Sequence, residues 1–226
     1  MARNEPRDTA AFEVREALVQ PGCAVCRLAS RSVGRLIQTV AYDQVNDLAL
    51  RAELRASRGF CNQHAYRWLR EARNVLGTAI IYRELILAAL DDLDAGAPRG
   101  GLLRKLRGAE NASVCVACRT QHQAEKRYLE ALLAALAHDA TAVEAFQASE
   151  GLCRRHTAAA LRRGGAGVAS VVDQTRTVMR DLLHHLDEVI RKEDYRFRDE
   201  PRSDDERTAP PRAIAWVAGL EGLVDG

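Results

Sequence analysis

Apolar residues recur along this chain every three to four positions, with charged residues between them. Over residues 24–56 the apolar positions include Leu36, Ile37, Val40, Ala41, Val45, Leu48 and Leu54. A second such stretch has Leu129, Leu132, Leu133, Leu136, Val143 and Phe146. Two later runs repeat the habit: Tyr66, Leu69, Leu76, Ile80, Leu85, Ile86, Leu90 and Leu93, then Val168, Val171, Val172, Val178, Leu182, Leu183 and Ile190. That spacing keeps one stripe of a 3.6-residue helix apolar, and runs of strict alternation are essentially absent. The pattern predicts an all-α fold, with strand content at most around short turns. Breaks are expected at Asn46-Asp47, at the aligned His138-Asp139, and at Gly164-Gly165-Ala166-Gly167. Asn46 is the expected cap of the helix after the first break.

The cysteines show that the pattern is duplicated. Cys23-x2-Cys26 is followed by Cys61-x2-His64, and Cys115-x2-Cys118 by Cys153-x2-His156. Every member of the second set lies 92 residues after its counterpart. Ser57-Arg58-Gly59-Phe60 aligns with Ser149-Glu150-Gly151-Leu152, and Arg27, Arg35 and Leu69 align with Arg119, Arg127 and Leu161. The halves are expected at 13–96 and 105–194 and to pack as one globular unit. Between them Ala95–Gly101 terminates a helix, and Leu102–Gly108 reads as a short basic turn. Residues 195–226 read as a charged, proline-marked tail, poorly ordered or loosely laid on the surface through Pro211. It ends in an apolar segment (Ile214, Trp216, Val217, Leu220, Leu223) that docks back on the bundle or mediates self-association or partner binding.

Paired thiols and a histidine at this spacing point to metal. Two ligands separated by two residues can turn inward to one ion, and two such pairs complete a tetrahedron. The Cys3His set so formed leaves no open coordination position, which makes the metal structural zinc, two per chain. The eight ligand candidates are Cys23, Cys26, Cys61, His64, Cys115, Cys118, Cys153 and His156. Iron–sulfur clusters are the alternative, since cysteine with one histidine also holds them, and redox-active thiols are a further one. Six thiolates and two divalent ions would cancel the formal charge of +2. Both ligand pairs of each half are expected at helix starts, where unpaired N–H groups favour thiolates.

A straight helix from Cys26 to Ser57 would be about 45 Å long at about 1.5 Å per residue, so a half that closes its own site must fold back at Asn46-Asp47. Extended Ser57–Phe60 would then bridge the remaining gap, with Gly59 and Gly151 supplying unusual backbone. We expect the site to close within each half, on economy of connection. Exchange of ligand pairs between halves is the alternative.

Other signals carry less. His122 and His138 have no counterpart in the first half and read as surface or capping residues. His184-His185 lies near Asp181, Asp187 and Glu188, and marks where an enzyme pocket between the repeats would be sought if the metals were architectural. Arg27 and Arg119 could screen the thiolates or face solvent. No phosphate loop or Ser-His-Asp pattern is evident. Of the 33 basic residues 30 are Arg, balanced by 31 acidic ones. With few interleaved aromatics, this argues against a nucleic-acid partner. Met1–Glu5 lacks a secretory h-region and no apolar run suits a membrane span, so a cytoplasmic setting is expected.

The use of Cys-x2-Cys with Ser-x-Gly-Phe/Leu-Cys-x2-His twice over resembles an uncharacterised family of bacterial proteins of unknown function. The Asn46-Asp47 turn and the Trp216 ending also resemble features of that family. Ala24 and Val116 stand where proline is frequent in it. The resemblance implies that the eight ligands belong together, and no activity. The sequence supports a binding or interaction module with a protein or small-molecule partner.

Overall fold

The structure is a computed structural model that describes residues 6–94 and 114–223. Ten helices occupy the described residues: α1 (Pro6–Leu18), α2 (Ala24–Tyr42), α3 (Leu48–Ala56), α4 (Asn62–Glu71), α5 (Val75–Asp94), α6 (Val116–His138), α7 (Ala140–Gln147), α8 (Arg154–Arg163), α9 (Val168–Arg191) and α10 (Asp204–Ala218). The fold is all-α, as the periodicity predicts. The duplication is visible in it, since α2–α5 and α6–α9 follow the same order of long, short, short and long helices. The linker Ala95–Gly101 and the basic turn Leu102–Gly108 lie outside the described residues.

The expected breaks are where the sequence puts them, with one change of residue. Asp47, not Asn46, caps α3 by accepting from the Leu50 N–H at 2.7 Å. Asp139 does the same for α7 through Thr141. A carboxylate beside unpaired helical N–H groups is favoured by both the hydrogen bond and the dipole, which explains the preference for Asp47. A further break separates α4 from α5, where Arg73 has φ 46°. There Asn74 accepts from the Gly77 N–H and donates to the Ala41 carbonyl. The sequence reading also passed over α1, which buries Val14, Ala17 and Leu18.

Two compact units are present. One comprises the chain up to Ala29 with Ala124–Leu223, and the other Ser30–Gln123. The first has a core around Leu28, Tyr128, Leu132, Phe146, Leu152 and Val171. The second centres on Val33, Ile37, Val40, Leu54 and Trp68. These boundaries cut through α2 and α6, so each unit draws on both sequence repeats.

The charged part of the tail is better ordered than expected, and its apolar end docks back. Residues 204–218 are helical and packed on α8 and α9. Ser203 and Glu206 form a reciprocal capping box at the start of α10. Glu206 also receives both carboxylate hydrogen bonds from Lys192 Nζ at 2.8 Å, with both side chains only 9% exposed. A buried ion pair to both carboxylate oxygens supplies order that the charged composition alone does not predict.

Candidate metal centres

Each knuckle is built by a short helix, a glycine turn and a helix start. After α3, Arg58 and Gly59 take φ of 56° and 93°, and the Gly59 N–H returns to the Leu54 carbonyl at 2.7 Å. Ser57 Oγ donates to the Gly59 carbonyl at 2.9 Å. After α7, Gly151 has φ 68° and donates its N–H to Ser149 Oγ. Positive φ at Gly59 and Gly151 is the unusual backbone expected there, and glycine adopts it without a Cβ penalty. The turn leaves Cys61 and Cys153 with nearly identical extended backbone, φ/ψ of −62°/165° and −66°/164°, as N-caps of α4 and α8. Cys23 and Cys115 sit immediately before α2 and α6. All four ligand pairs therefore stand at helix N-termini, as expected.

The eight residues come together in two clusters, and the pairs are exchanged between repeats. Cys23 and Cys26 meet Cys153 and His156 in the first unit, while Cys61 and His64 meet Cys115 and Cys118 in the second. This corrects the expectation that each repeat closes its own site. The reason is the turn geometry. Nineteen residues of α2 carry the chain outward by about 28 Å and nine residues of α3 return it by about 14 Å. The remainder would have to be spanned by extended Ser57–Phe60, but these residues form a tight turn.

Within each cluster all four ligand atoms lie within 4.8 Å of one another. In the first, Cys26 Sγ is 3.6 Å from Cys153 Sγ, and His156 Nδ1 lies 3.3–3.4 Å from the three sulfurs. In the second, Cys61 Sγ is 3.6 Å from Cys118 Sγ, and His64 Nδ1 lies 3.3, 3.4 and 3.9 Å from Cys61, Cys118 and Cys115. Sulfur pairs at 3.6 Å are far outside disulfide bonding, and all six cysteines are free. Metal–sulfur bonds of about 2.3 Å and metal–nitrogen bonds of about 2.0 Å in a tetrahedron put sulfurs about 3.8 Å apart and nitrogen about 3.5 Å from sulfur. The donor set fits one ion of that size.

The surroundings fit as well. His64 and His156 are buried, and the Nε2 of each is buried without a hydrogen-bond partner. Both rings turn Nδ1 toward the sulfurs. Glu125, held by Arg155 at 2.6 Å, stands 3.9 Å from His156 Nε2, in the place from which a carboxylate orients a metal-bound imidazole. Burial and the neighbouring sulfurs push the Cys23 thiol well up. Burial also opposes ionisation of Cys115, but hydrogen bonds from His64 and from backbone N–H groups outweigh it and bring the thiol down to about 6. Burial and the Cys115 charge then drive Cys118 up. Hydrogen bonds from Cys23 and Cys26 hold Cys153 low against burial. His156, resisted by burial, is lifted to about 9 by Cys153 and Cys26. Without a cation, one thiolate in each cluster is favoured at its neighbours' expense, and a dication would relieve that conflict.

The flanking arginines are otherwise engaged. Arg27 donates to the carbonyls of Ala17, Pro21 and Gly22, bracing the loop before Cys23, and Arg119 pairs with Glu53. The first cluster also has a cover that the sequence did not reveal. Trp216, half-buried, lines a small cavity with Cys23, Cys153 and Leu182. A Cβ on Gly219 would lie 3.6 Å from Cys26 Sγ and 3.9 Å from Cys153 Sγ. The signal was the apolar ending itself. His122 and His138 join neither cluster. His185 pairs with Asp181 at 3.3 Å, and Asp181 also faces Arg212. No third ligand joins that pair, and the two Cys3His sets are the only such clusters among the described residues.

A family model described as a family of unknown function (DUF6062) matches residues 104–221. The chain belongs to that family. The matched segment holds Cys115, Cys118, Cys153 and His156, one ligand pair for each cluster. An uncharacterized 23.9 kDa protein in the xynA 3′ region of Caldicellulosiruptor sp. (strain Rt8B.4) is 26% identical over 201 residues, covering 88% of this chain and 96% of that protein. No solved structure matches.

Proposed function

We propose that the chain is a structural-zinc protein, with one Zn²⁺ held by Cys23, Cys26, Cys153 and His156 and another by Cys61, His64, Cys115 and Cys118. It acts as a binding or interaction module. The observation that carries this reading is the spacing of the ligand atoms, which suits a single tetrahedral ion and leaves no coordination position for substrate. Four ligand atoms all within 4.8 Å of one another leave no room between them for the several iron and sulfide atoms of a cluster. The ion would supply cross-linking: it ties helix starts that are far apart in sequence, and its binding energy becomes folding energy. Free thiols that must stay reduced to hold metal suit a cytoplasmic setting. No described helix is long and apolar enough to cross a membrane. Partner contacts would use exposed apolar residues, among them Ile214 and Val217 on α10 and Leu220 just beyond it, while Trp216 lines the cavity beside the first cluster.

The test is elemental analysis of anaerobically purified protein together with its visible spectrum and thiol alkylation. Two zinc atoms per chain, no visible absorption and six protected thiols are expected. Iron with visible charge-transfer bands, or folded protein that is metal-free and alkylates readily, overturns the reading.

A further inference from the structure

The two clusters share a donor set but not their surroundings. Beside the first, Glu125 stands 3.9 Å from His156 Nε2 and is held by Arg155. The residues 92 positions earlier are Val33 and Gln63. Where α6 carries the acid, α2 therefore carries an aliphatic side chain, fully buried in the core of the second unit. The loop before Cys23 is tied down as well. The Gly22 N–H donates to Glu150 at 2.7 Å, and Arg212 of α10 reaches the same carboxylate at 3.5 Å. The aligned residues are Val114, 59% exposed next to Cys115, and Arg58, whose guanidinium has no acceptor with which to repeat that tie. The space beside each cluster differs too. The cavity at Cys23 and Cys153, walled in part by Ala215 and Trp216, has a volume of about 30 Å³, room for only a water or two. Alongside the second knuckle lies a cleft of about 380 Å³ whose lining includes Asn62, Ala65, Tyr66, Leu69 and Tyr82. That volume suits a small molecule. Asn62 directly follows Cys61, and Tyr82 packs on the core that contains Cys115 and Cys118.

We propose that the first site keeps its ion and the second is an exchange site, giving up its ion to small ligands with nitrogen or sulfur donors that enter the cleft beside Asn62 and Tyr82. This rests on the zinc reading and adds to it a division of labour between the ions. A carboxylate behind a ligating imidazole fixes the ring and strengthens its donor, an effect of about tenfold to a hundredfold in affinity. Cover acts on the rate. A competing donor must displace the segment after α10 to reach Cys26 and Cys153, because Gly219 lies against both sulfurs and the buried Lys192–Glu206 pair anchors the helix. Release at the second site is substitution without redox change: donors of the incoming ligand replace three sulfurs and an imidazole, and the freed thiolates take protons from water.

The test adds the chelating dye pyridylazoresorcinol to the full metal-loaded chain and follows zinc release, while iodoacetamide and peptide mass spectrometry report which cysteines become free. Two phases are expected, at rates at least about tenfold apart. Cys61, Cys115 and Cys118 should be alkylated in the fast phase, and Cys23, Cys26 and Cys153 in the slow one. Trp216→Ala and Glu125→Gln should each speed the slow phase, Glu125→Gln by about tenfold or more. Both should leave the fast phase and helical circular dichroism unchanged. With Co²⁺ in both sites, Glu125→Gln should also shift the ligand-field bands, which Trp216→Ala should not. Leu69→Trp, at an exposed wall of the cleft, should slow the fast phase severalfold. A single rate, or alkylation of Cys23, Cys26 and Cys153 first, overturns the proposal. Unmoved cobalt bands in Glu125→Gln overturn the part given to the carboxylate, and a fast phase indifferent to Leu69→Trp overturns the route through the cleft. Protein purified without zinc overturns the zinc reading instead, so the two failures are distinguishable.

Discussion

Trp68 lies one turn beyond His64 and is fully buried, its ring stacked on Phe60 at 5.6 Å and its Nε1–H donated to Thr78 Oγ1 at 3.0 Å. Phe60 directly precedes Cys61, so the two rings brace the second knuckle on both sides of its Cys-x2-His. The aligned residues of the other repeat are Leu152 and Ala160, also buried but smaller. Trp68→Ala should therefore cost about 3–5 kcal/mol, the range for a large aromatic lost from a packed core. The midpoint of denaturant unfolding of the metal-loaded protein measures it, and a loss below about 1 kcal/mol would show that Trp68 is not a main support of the second unit. At this scale the sequence was legible where chemistry demands a residue type. That the eight Cys and His residues belong together, the turns at Gly59 and Gly151, and the break at 46–47 could all be read directly. It was less legible where two neighbours can do one task, as with Asn46 and Asp47, because only the backbone direction decides which oxygen faces the free N–H groups.

Among the elements, α10 departs most from its sequence reading, and its attachment to the end of α9 makes it testable. Pro210 and Pro211 lie inside it and cannot donate the backbone hydrogen bonds of a helix interior. Together with the dense charge before them they suggested an irregular tail. The competing signal was Ser203-x-x-Glu206, a capping box legible in the sequence. What could not be read was that Lys192, fourteen residues earlier, would bury its ammonium against the same carboxylate. The Lys192 ammonium holds the Glu206 carboxyl below its ordinary value, against burial. A lowered folded value means that the contribution is complete above the ordinary carboxylate value of about 4.3 and is lost as pH falls through the lowered one. Acidification should loosen α10 in the wild type, whereas Glu206→Gln should leave it loosened already at neutral pH. Trp216 fluorescence in a Trp68→Phe background reports this. If Glu206→Gln matches the wild type at neutral pH and titrates identically, the ion pair does not anchor the helix.

For the whole molecule, the repeat in the sequence and the units in space are different partitions of one chain. The repeat was legible because ligand spacing is a one-dimensional quantity, copied at a constant offset of 92. Which pair closes with which depends on where α2 and α6 end, and the same spacing satisfies either pairing. The deciding facts are that α3 is too short to undo the length of α2 and that Ser57–Phe60 turn tightly instead of reaching back. Paired serine substitutions separate the two arrangements without a structure. Cys26 and Cys153 share a cluster here, so on the proposed reading Cys26→Ser/Cys153→Ser should lose one metal ion per chain and keep the other. Cys26 and Cys61 belong to different clusters, so Cys26→Ser/Cys61→Ser should lose both under competition from a mild chelator, since each site then has only three of its four ligands. Closure within each repeat demands the reverse order of losses. If metal binding contributes folding energy as proposed, the thermal midpoint should follow the count, with Cys26→Ser/Cys61→Ser the less stable pair. Equal metal content in the two variants would mean that the exchanged arrangement does not govern metal binding.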